Sequence, residues 1–332
     1  MCELYEKVCP DIYKIRIPLP ENPLRTLNSY LVKTGSRNLL IDTGFNLEEC
    51  RKALFQGLKE LDADMENTDI FVTHMHSDHI GLAGAVASKN SKIYMSGIDY
   101  GYFLKSRENE YWNNADTNFI SNGFPEDTVK KLKTTNPARV LSPCGIFKAE
   151  TVSGGDVIKV GEHEFTCVST PGHSPGHMCL YLEKEKLVFT GDHVLFDITP
   201  NITSWNGIAD SLGDYIESLK KIRHLDVKTA LPGHRENSGD FYKRIDMLLS
   251  HHEARLSDVL DILSDKGGLT AYETASKMRW SIRAKSFEDF PNPQKWFAMG
   301  ETLSHLDYLR LRGKVERKKD GRGIYVYFPS RP

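Results

Sequence analysis

The sequence predicts an α/β protein in two parts, a sheet-and-helix sandwich over residues 1–248 and a smaller carboxy-terminal domain over 249–332. Apolar runs of strand length end repeatedly in Gly, Asp or His, which marks the sandwich. A helical spacing of leucines begins near Ser250 and closes on two β-prone runs around Asp320-Gly321, which marks the second domain. The length of 332 residues supports the division, because it exceeds what one ordinary core organises.

Ile12-Tyr13-Lys14-Ile15-Arg16-Ile17 alternates at period two, and Ser29-Tyr30-Leu31-Val32 returns through Thr34-Gly35-Ser36 into Asn38-Leu39-Leu40-Ile41-Asp42. A sheet therefore opens the fold. Asn46 and Glu49 have the spacing of a capping box, and Leu47, Cys50, Leu54, Leu58 and Leu61 follow at helical intervals. A strand over 70–73 comes next, and the small apolar run 80–87 reads as a helix packed closely on a sheet. Residues 97–145 are rich in aromatics, including Tyr100, Tyr102, Tyr111 and Trp112, and read as a helical insertion that serves as a lid or as a cover for the sheet.

Strand alternation resumes over 156–160 and 165–168, and a hairpin pairs 179–182 with 187–190. A helix over 212–222 leads to Thr229-Ala230-Leu231-Pro232-Gly233-His234. In the second domain, Leu256, Val259, Leu260 and Leu263 mark one helix, and Thr270 with Glu273 caps another. Leu303, Leu306, Leu309 and Leu311 mark a third, before the hairpin of 315–318 and 324–328. Three helices and a basic hairpin make a winged helix.

Hydrophobic content of 39% and charged content of 27% are ordinary for a globular protein, and no apolar run has the length of a membrane span. The amino terminus carries acids early and lacks an apolar signal stretch, so a cytoplasmic protein is expected. Cys2, Cys9, Cys50, Cys144, Cys167 and Cys179 form no C-x-x-C pair and read as reduced, small, buried residues. Net charge is -2, yet residues 250–332 carry 15 basic against 11 acidic side chains. That surplus, with Lys314, Arg317, Lys318, Lys319 and Arg322 on the hairpin, is modest for nucleic acid.

Chemistry is concentrated in Thr73-His74-Met75-His76-Ser77-Asp78-His79-Ile80-Gly81, where three imidazoles and a carboxylate follow a strand. Period two sends His74 and His76 to one side, while Asp78 and His79 occupy the turn, so one loop can supply two neighbouring metal positions. Further candidates end later strands: His173 in Thr170-Pro171-Gly172-His173, Asp192 in Thr190-Gly191-Asp192, and His234 in Leu231-Pro232-Gly233-His234. His163, His224, His251, His252 and His305 lie outside these motifs and read as solvated or capping residues.

In this order, and with Ile41-Asp42-Thr43-Gly44 ahead of them, the motifs resemble those of the metallo-β-lactamase superfamily over most of residues 12–240. The resemblance implies an αββα sandwich, here with a C-terminal winged-helix domain. It implies that His74, His76 and His173 hold one metal, that Asp78, His79 and His234 hold another, and that Asp192 bridges them. Zinc suits such donors best, and iron or manganese are also accommodated. A hydroxide shared by the two ions would be the nucleophile, with Asp78 orienting it. Asp42 is expected to buttress the metal loop by hydrogen bonds, and His177 and His193 to stand behind the ligands as satisfied structural histidines.

Asp192 stands where penicillin-cleaving members usually carry cysteine or another residue, which disfavours that reaction. The expected activity is hydrolysis of a small-molecule thioester or ester, such as an acyl-CoA or acylglutathione. A lactonase is an alternative, as is a single-strand endoribonuclease gripping phosphate through the basic wing. The resemblance also suggests a homodimer through the winged helix.

Overall fold

The computed structural model describes residues 5–266, 268–282 and 284–330. Residues 1–4, with Cys2 and the first of the acids read at the terminus, lie outside the described residues. Two sheets are built from the strands the sequence marks and three it does not, Tyr5–Cys9, Ile93–Ser96 and Glu150–Val152. The first, in spatial order, comprises β1 (Tyr5–Cys9), β2 (Ile12–Pro18), β3 (Thr26–Val32), β4 (Asn38–Ile41), β5 (Thr68–Phe71), β6 (Ile93–Ser96) and β7 (Glu150–Val152). Its pairs are antiparallel up to β4 and parallel beyond it. The second runs β8 (Val157–Val160), β9 (His163–Ser169), β10 (Met178–Leu182), β11 (Leu187–Gly191) and β12 (Thr229–Pro232), with only β11 and β12 parallel.

Period-two alternation gives each sheet an inner and an outer apolar face, and both are covered. Between the sheets, Ile12, Tyr30, Val32, Ile41 and Phe71 pack against Phe165, Leu180, Phe189 and Leu231. Outside the first sheet, Cys50, Leu54 and Leu58 of α1 (Glu48–Glu60) cover Ile15, Leu31, Leu40 and Ile70. The spacing that predicts this helix is right, but its capping is not. Leu47 stands at the N-cap without a side-chain bond, and the Asn46 amide donates instead to the Ser142 carbonyl and Cys144 Sγ.

The run 80–87 forms two single turns, α2 (Ser77–Ile80) and α3 (Ala83–Val86), rather than one helix. Between them Gly81 passes against the loop after β4, where a Cβ would stand 2.5 Å from the Gly44 carbonyl oxygen. The insertion carries α4 (Gly97–Lys105), α5 (Asn109–Ser121), α6 (Glu126–Leu132) and α7 (Pro137–Val140). Outside the second sheet lie α8 (Ser211–Ile222) and α9 (Phe241–Lys266), which bury Leu212, Tyr215, Leu219, Phe241 and Ile245 on Cys179, Tyr181 and Val188. The layers are therefore helix, sheet, sheet, helix.

The helix α9 runs unbroken through residues 248 and 249 and into the last part of the chain. There α10 (Ala271–Lys277), α11 (Asn292–Leu311) and a hairpin of β13 (Val315–Lys319) and β14 (Tyr325–Pro329) complete the structure. The Thr270 and Glu273 capping box is formed at α10. This part shares its core with the insertion: Phe119, Phe124, Val129 and Leu132 pack with Val259, Met299, Leu303, Leu306 and Tyr327. The Tyr327 hydroxyl donates to Asn122 Oδ1 at 2.7 Å across that contact.

Further side-chain expectations fail, and Cys9 is only half-buried. His252 and His305 are fully buried, 3.2 Å apart through Nδ1 and Nε2, because α9 and α11 cross there. Cys144 is exposed, since it lies on the loop after α7 rather than on an element facing a core. Among the described residues no helix is long and apolar enough to cross a membrane.

Phe119 stacks on Trp296 with ring centroids 5.2 Å apart, joining the insertion to α11. Phe119→Ala is expected to destabilise the whole chain by about 3–5 kcal/mol. Urea unfolding followed by tryptophan emission checks it; a loss under about 1 kcal/mol would show that this shared core contributes little.

Candidate metal centre

The carboxyl ends of β4, β5, β11 and β12 and the loop after β9 converge at one edge of the sandwich. The ends of β4 and β5 carry Asp42 and the segment Thr73 to His79, the loop after β9 carries His173 and His177, and the ends of β11 and β12 carry Asp192 and His234. All seven residues expected to ligate are brought together. The ligand atoms of His74, His76 and His173 lie within 4.8 Å of one another, as do those of Asp78, His79 and His234. Asp192 meets the same limit with His74 and His79.

Hydrogen bonds select which ring nitrogen faces the centre. His79 donates from Nδ1 to Asp42 Oδ2 at 2.7 Å, His173 from Nδ1 to the Asn201 carbonyl at 2.8 Å, and His234 from Nδ1 to the Thr26 carbonyl at 2.8 Å. Their Nε2 atoms are thereby turned inward. His74 Nδ1 lies 3.0 Å from Thr73 Oγ1, and its Nε2 lies 3.0 Å from His76 Nδ1. Asp192 reaches both groups: Oδ1 is 3.5 Å from His79 Nε2, while Oδ2 is 3.5 Å from His234 Nε2 and 3.6 Å from His173 Nε2. Asp78 Oδ2 lies 3.2 Å from His234 Nε2.

The electrostatics divide the two groups. Burial, then neighbouring imidazoles, keeps His74 neutral; burial likewise pushes His76 down to about 3 and lowers His173. The His74 and His76 rings thus meet through Nε2 and Nδ1 without charge on either. In the other group burial also opposes charge, but Asp42, Asp192 and Asp78 outweigh it and hold His79 well above the usual range. Asp192 and Asp78 likewise raise His234 to about 10. Against the burial that would raise it, Asp78 is pulled down to about 2 by His79 and His234, and Asp192 is lowered in the same way.

A dry cluster of neutral lone pairs and ionised carboxylates fits a metal ion. His173 Nε2 and Asp192 Oδ1 are buried without a hydrogen-bond partner, and a bound cation would satisfy both. The crowding is tight enough to dictate a glycine. At Gly233 a Cβ would stand 2.6 Å from Asp192 Oδ1 and 2.9 Å from the His79 ring.

Asp42 holds the loop as expected, and does so from a left-handed backbone with φ of 59°. Its carboxylate accepts from the Thr73 amide and the Thr73 hydroxyl, each at 2.8 Å, as well as from His79. His177 is satisfied, since Nδ1 meets Thr170 Oγ1 at 2.8 Å and Nε2 accepts from the Asp192 amide at 3.2 Å. His193 is buried with its ring edge-on against Tyr215 at 5.0 Å, and its polar neighbour is the Ser218 backbone.

Three contributors have no motif. Asp99, buried on α4, accepts from the Met75 amide, the Ser174 hydroxyl and the Gly176 amide, and so ties the two histidine loops together. Burial raises its pKa to about 6 against those hydrogen bonds. Trp205 stacks on His76 at 5.7 Å and donates to the His173 carbonyl, while Asn201 accepts from His173. Nothing in the local sequence marks these residues, since each acts through a contact made only on folding.

The profile described as Metallo-beta-lactamase superfamily matches residues 23–234, and that described as Metallo-beta-lactamase-like, C-terminal domain matches 288–330. A crystal structure of a metallo-beta-lactamase family protein from Thermus thermophilus is 31% identical and superposes with a TM-score of 0.81 over 97% of this chain and 99% of that one. The probable metallo-hydrolase YqjP of Bacillus subtilis is 26% identical over 95% of this chain and 97% of its own. The atrochrysone carboxyl ACP thioesterase nsrC of Aspergillus novofumigatus is 26% identical over 72% of this chain and 59% of its own. Motif order, layer architecture and donor geometry agree with these matches, and the chain belongs to the metallo-beta-lactamase superfamily.

Proposed function

We propose that the chain is a two-metal hydrolase that cleaves a small-molecule thioester or ester. The observation that carries this is the pair of donor triads sharing one carboxylate, Asp192, at 3.5 and 3.6 Å. Two divalent ions, zinc by preference, supply when bound a water that ionises near neutral pH and a Lewis acid for the scissile carbonyl. His74, His76 and His173 would hold one ion, Asp78, His79 and His234 the other, and Asp192 would serve both. Asp78 would also orient the attacking water. Asp42 and the carbonyls of Asn201 and Thr26 keep the ligating nitrogens aimed. In the overall reaction water adds to the acyl carbon, the carbon–sulfur or carbon–oxygen bond breaks, and a proton passes to the leaving group.

The acyl preference is supported by an aromatic wall beside His76. Tyr102 of α4 meets Trp205 edge-on at 5.9 Å, and Tyr111 of α5 meets Tyr102 at 6.5 Å. Such a surface suits an apolar acyl or pantetheine-like portion. The relative named as an acyl-carrier-protein thioesterase points the same way. We read the last helices and hairpin as a winged helix. Its cations are largely engaged within it, with Arg317 over Tyr325, Lys318 beside Glu316 and Arg322 beside Asp320, and this favours a small substrate over RNA.

Purified protein should contain about two transition-metal ions per chain, and chelation should abolish turnover. Undiminished hydrolysis by metal-free protein would sink the proposal. Asp192→Ala should fall below about 1% of the wild-type rate and lose metal; full activity at unchanged metal content refutes the shared role. Asp42→Asn should weaken metal binding by about 10- to 100-fold, read by competition with a chelating dye. Across a panel of acyl-CoA and acylglutathione thioesters, esters and lactones, thioesters should turn over fastest. Silence there with cleavage of single-stranded RNA would move the assignment to a nuclease.

A further inference from the structure

The loop between β11 and α8 touches the metal centre on one side and α11 on the other. On the first side the Asn201 carbonyl accepts the His173 Nδ1 proton at 2.8 Å. On the second, the Asn201 side-chain amide donates to Glu301 Oε2 at 3.1 Å and to the Phe297 carbonyl at 3.2 Å. Glu301 Oε1 lies 3.1 Å from the guanidinium of Arg255 on α9. Arg255 in turn donates to the Arg279 carbonyl at 2.6 Å and lies 4.1 Å over the Trp280 ring. The loop is clamped to α11 at three more points, from the Ser204 amide to the Gly300 carbonyl at 3.1 Å, from the Ser204 hydroxyl to Asp307 Oδ2 at 3.1 Å and from the Ser304 hydroxyl to the Ile202 carbonyl at 2.6 Å.

Glu301 and Arg255 are 8% and 6% exposed. A buried ion pair is a poor means of stabilisation, because desolvating both charges offsets their attraction. Besides Arg255, the side chain bonded to the Glu301 carboxylate among the described residues is Asn201, whose backbone sets the tautomer and tilt of an imidazole in the centre. We infer that Glu301, held by Arg255, is a positioning residue for His173: through Asn201, the carboxy-terminal helices set the orientation of that imidazole and hence the affinity of the centre for metal. The inference rests on the reading of His173 as a ligand.

The test measures Co(II) affinity by chelator competition, the visible Co(II) spectrum, and the urea midpoint of the metal-free protein, for the full wild-type chain and for Asn201→Ala, Glu301→Ala and Glu301→Gln. Asn201→Ala and Glu301→Ala are expected to lose about 10- to 100-fold in affinity and to change the spectrum. Glu301→Gln keeps an acceptor opposite the Asn201 amide but leaves Arg255 without a counter-charge. It is expected to lower the urea midpoint while staying within about threefold of wild-type affinity. A merely structural role predicts another pattern, in which affinity follows the urea midpoint, Glu301→Gln falls with Glu301→Ala, or no variant changes affinity. Any of these overturns the inference alone. Failure of the wild type itself to bind Co(II) overturns the ligand assignment as well. Should Glu301→Ala not fold, Asn201→Ala against Glu301→Gln carries the same comparison.

Discussion

Asp78 and Asp192 are ionised carboxylates buried among five imidazoles, and water is largely excluded from the space they share. Charges taken from water into such a place must be compensated at short range, or the fold loses several kcal/mol for each. The carboxylates shift His79 and His234, the imidazoles nearest to them, upward against the burial that opposes charge. A divalent ion supplies the compensation with a fixed geometry. Much of the surrounding structure serves this compensation: Asp42 accepts a left-handed backbone to hold His79, and Gly81 and Gly233 give up a side chain so that neighbouring loops can close in.

The sandwich makes the convergence possible because parallel strands deliver successive loops to one edge. In the first sheet β4 and β5 bring Asp42 beside the His74 loop, and in the second β11 and β12 bring Asp192 beside His234. Tyr30 and Phe189 pack edge-on between the sheets, which fixes how far apart these two sets of loops stand. Asp99 then crosses from the insertion to bind both histidine loops by backbone and hydroxyl hydrogen bonds. The placement of these side chains is thus over-determined, and a cluster assembled from five separate stretches of chain keeps one geometry.

The insertion and the carboxy-terminal helices act as one covering layer rather than as two appendages. They share a core around Phe119, Leu303 and Tyr327, and they approach the metal centre from adjacent directions, one through Tyr102 and Trp205, the other through Asn201 and Glu301. Trp205 and Asn201, more than a hundred positions from the histidine loop, are thereby placed against the rings of His76 and His173.

Most strands, most helices and the seven side chains that gather at the site were legible in the sequence through short-range signals, period-two alternation, leucine spacing, and His and Asp at strand ends, the last grouped by the family resemblance. The same short-range logic failed where a contact between distant segments decided the outcome. Asn46 has the spacing of a helix cap, but its amide bonds to Ser142 and Cys144, nearly a hundred residues on. His252 and His305 look like surface residues until α9 and α11 cross and bury them. Asp99, Trp205, Asn201 and Glu301 carry no motif, since their roles consist of hydrogen bonds and ring contacts to partners that only folding brings near. Local patterns encode which groups the chain offers; the tertiary structure decides which of them meet, which stay dry, and which nitrogen of each imidazole points inward.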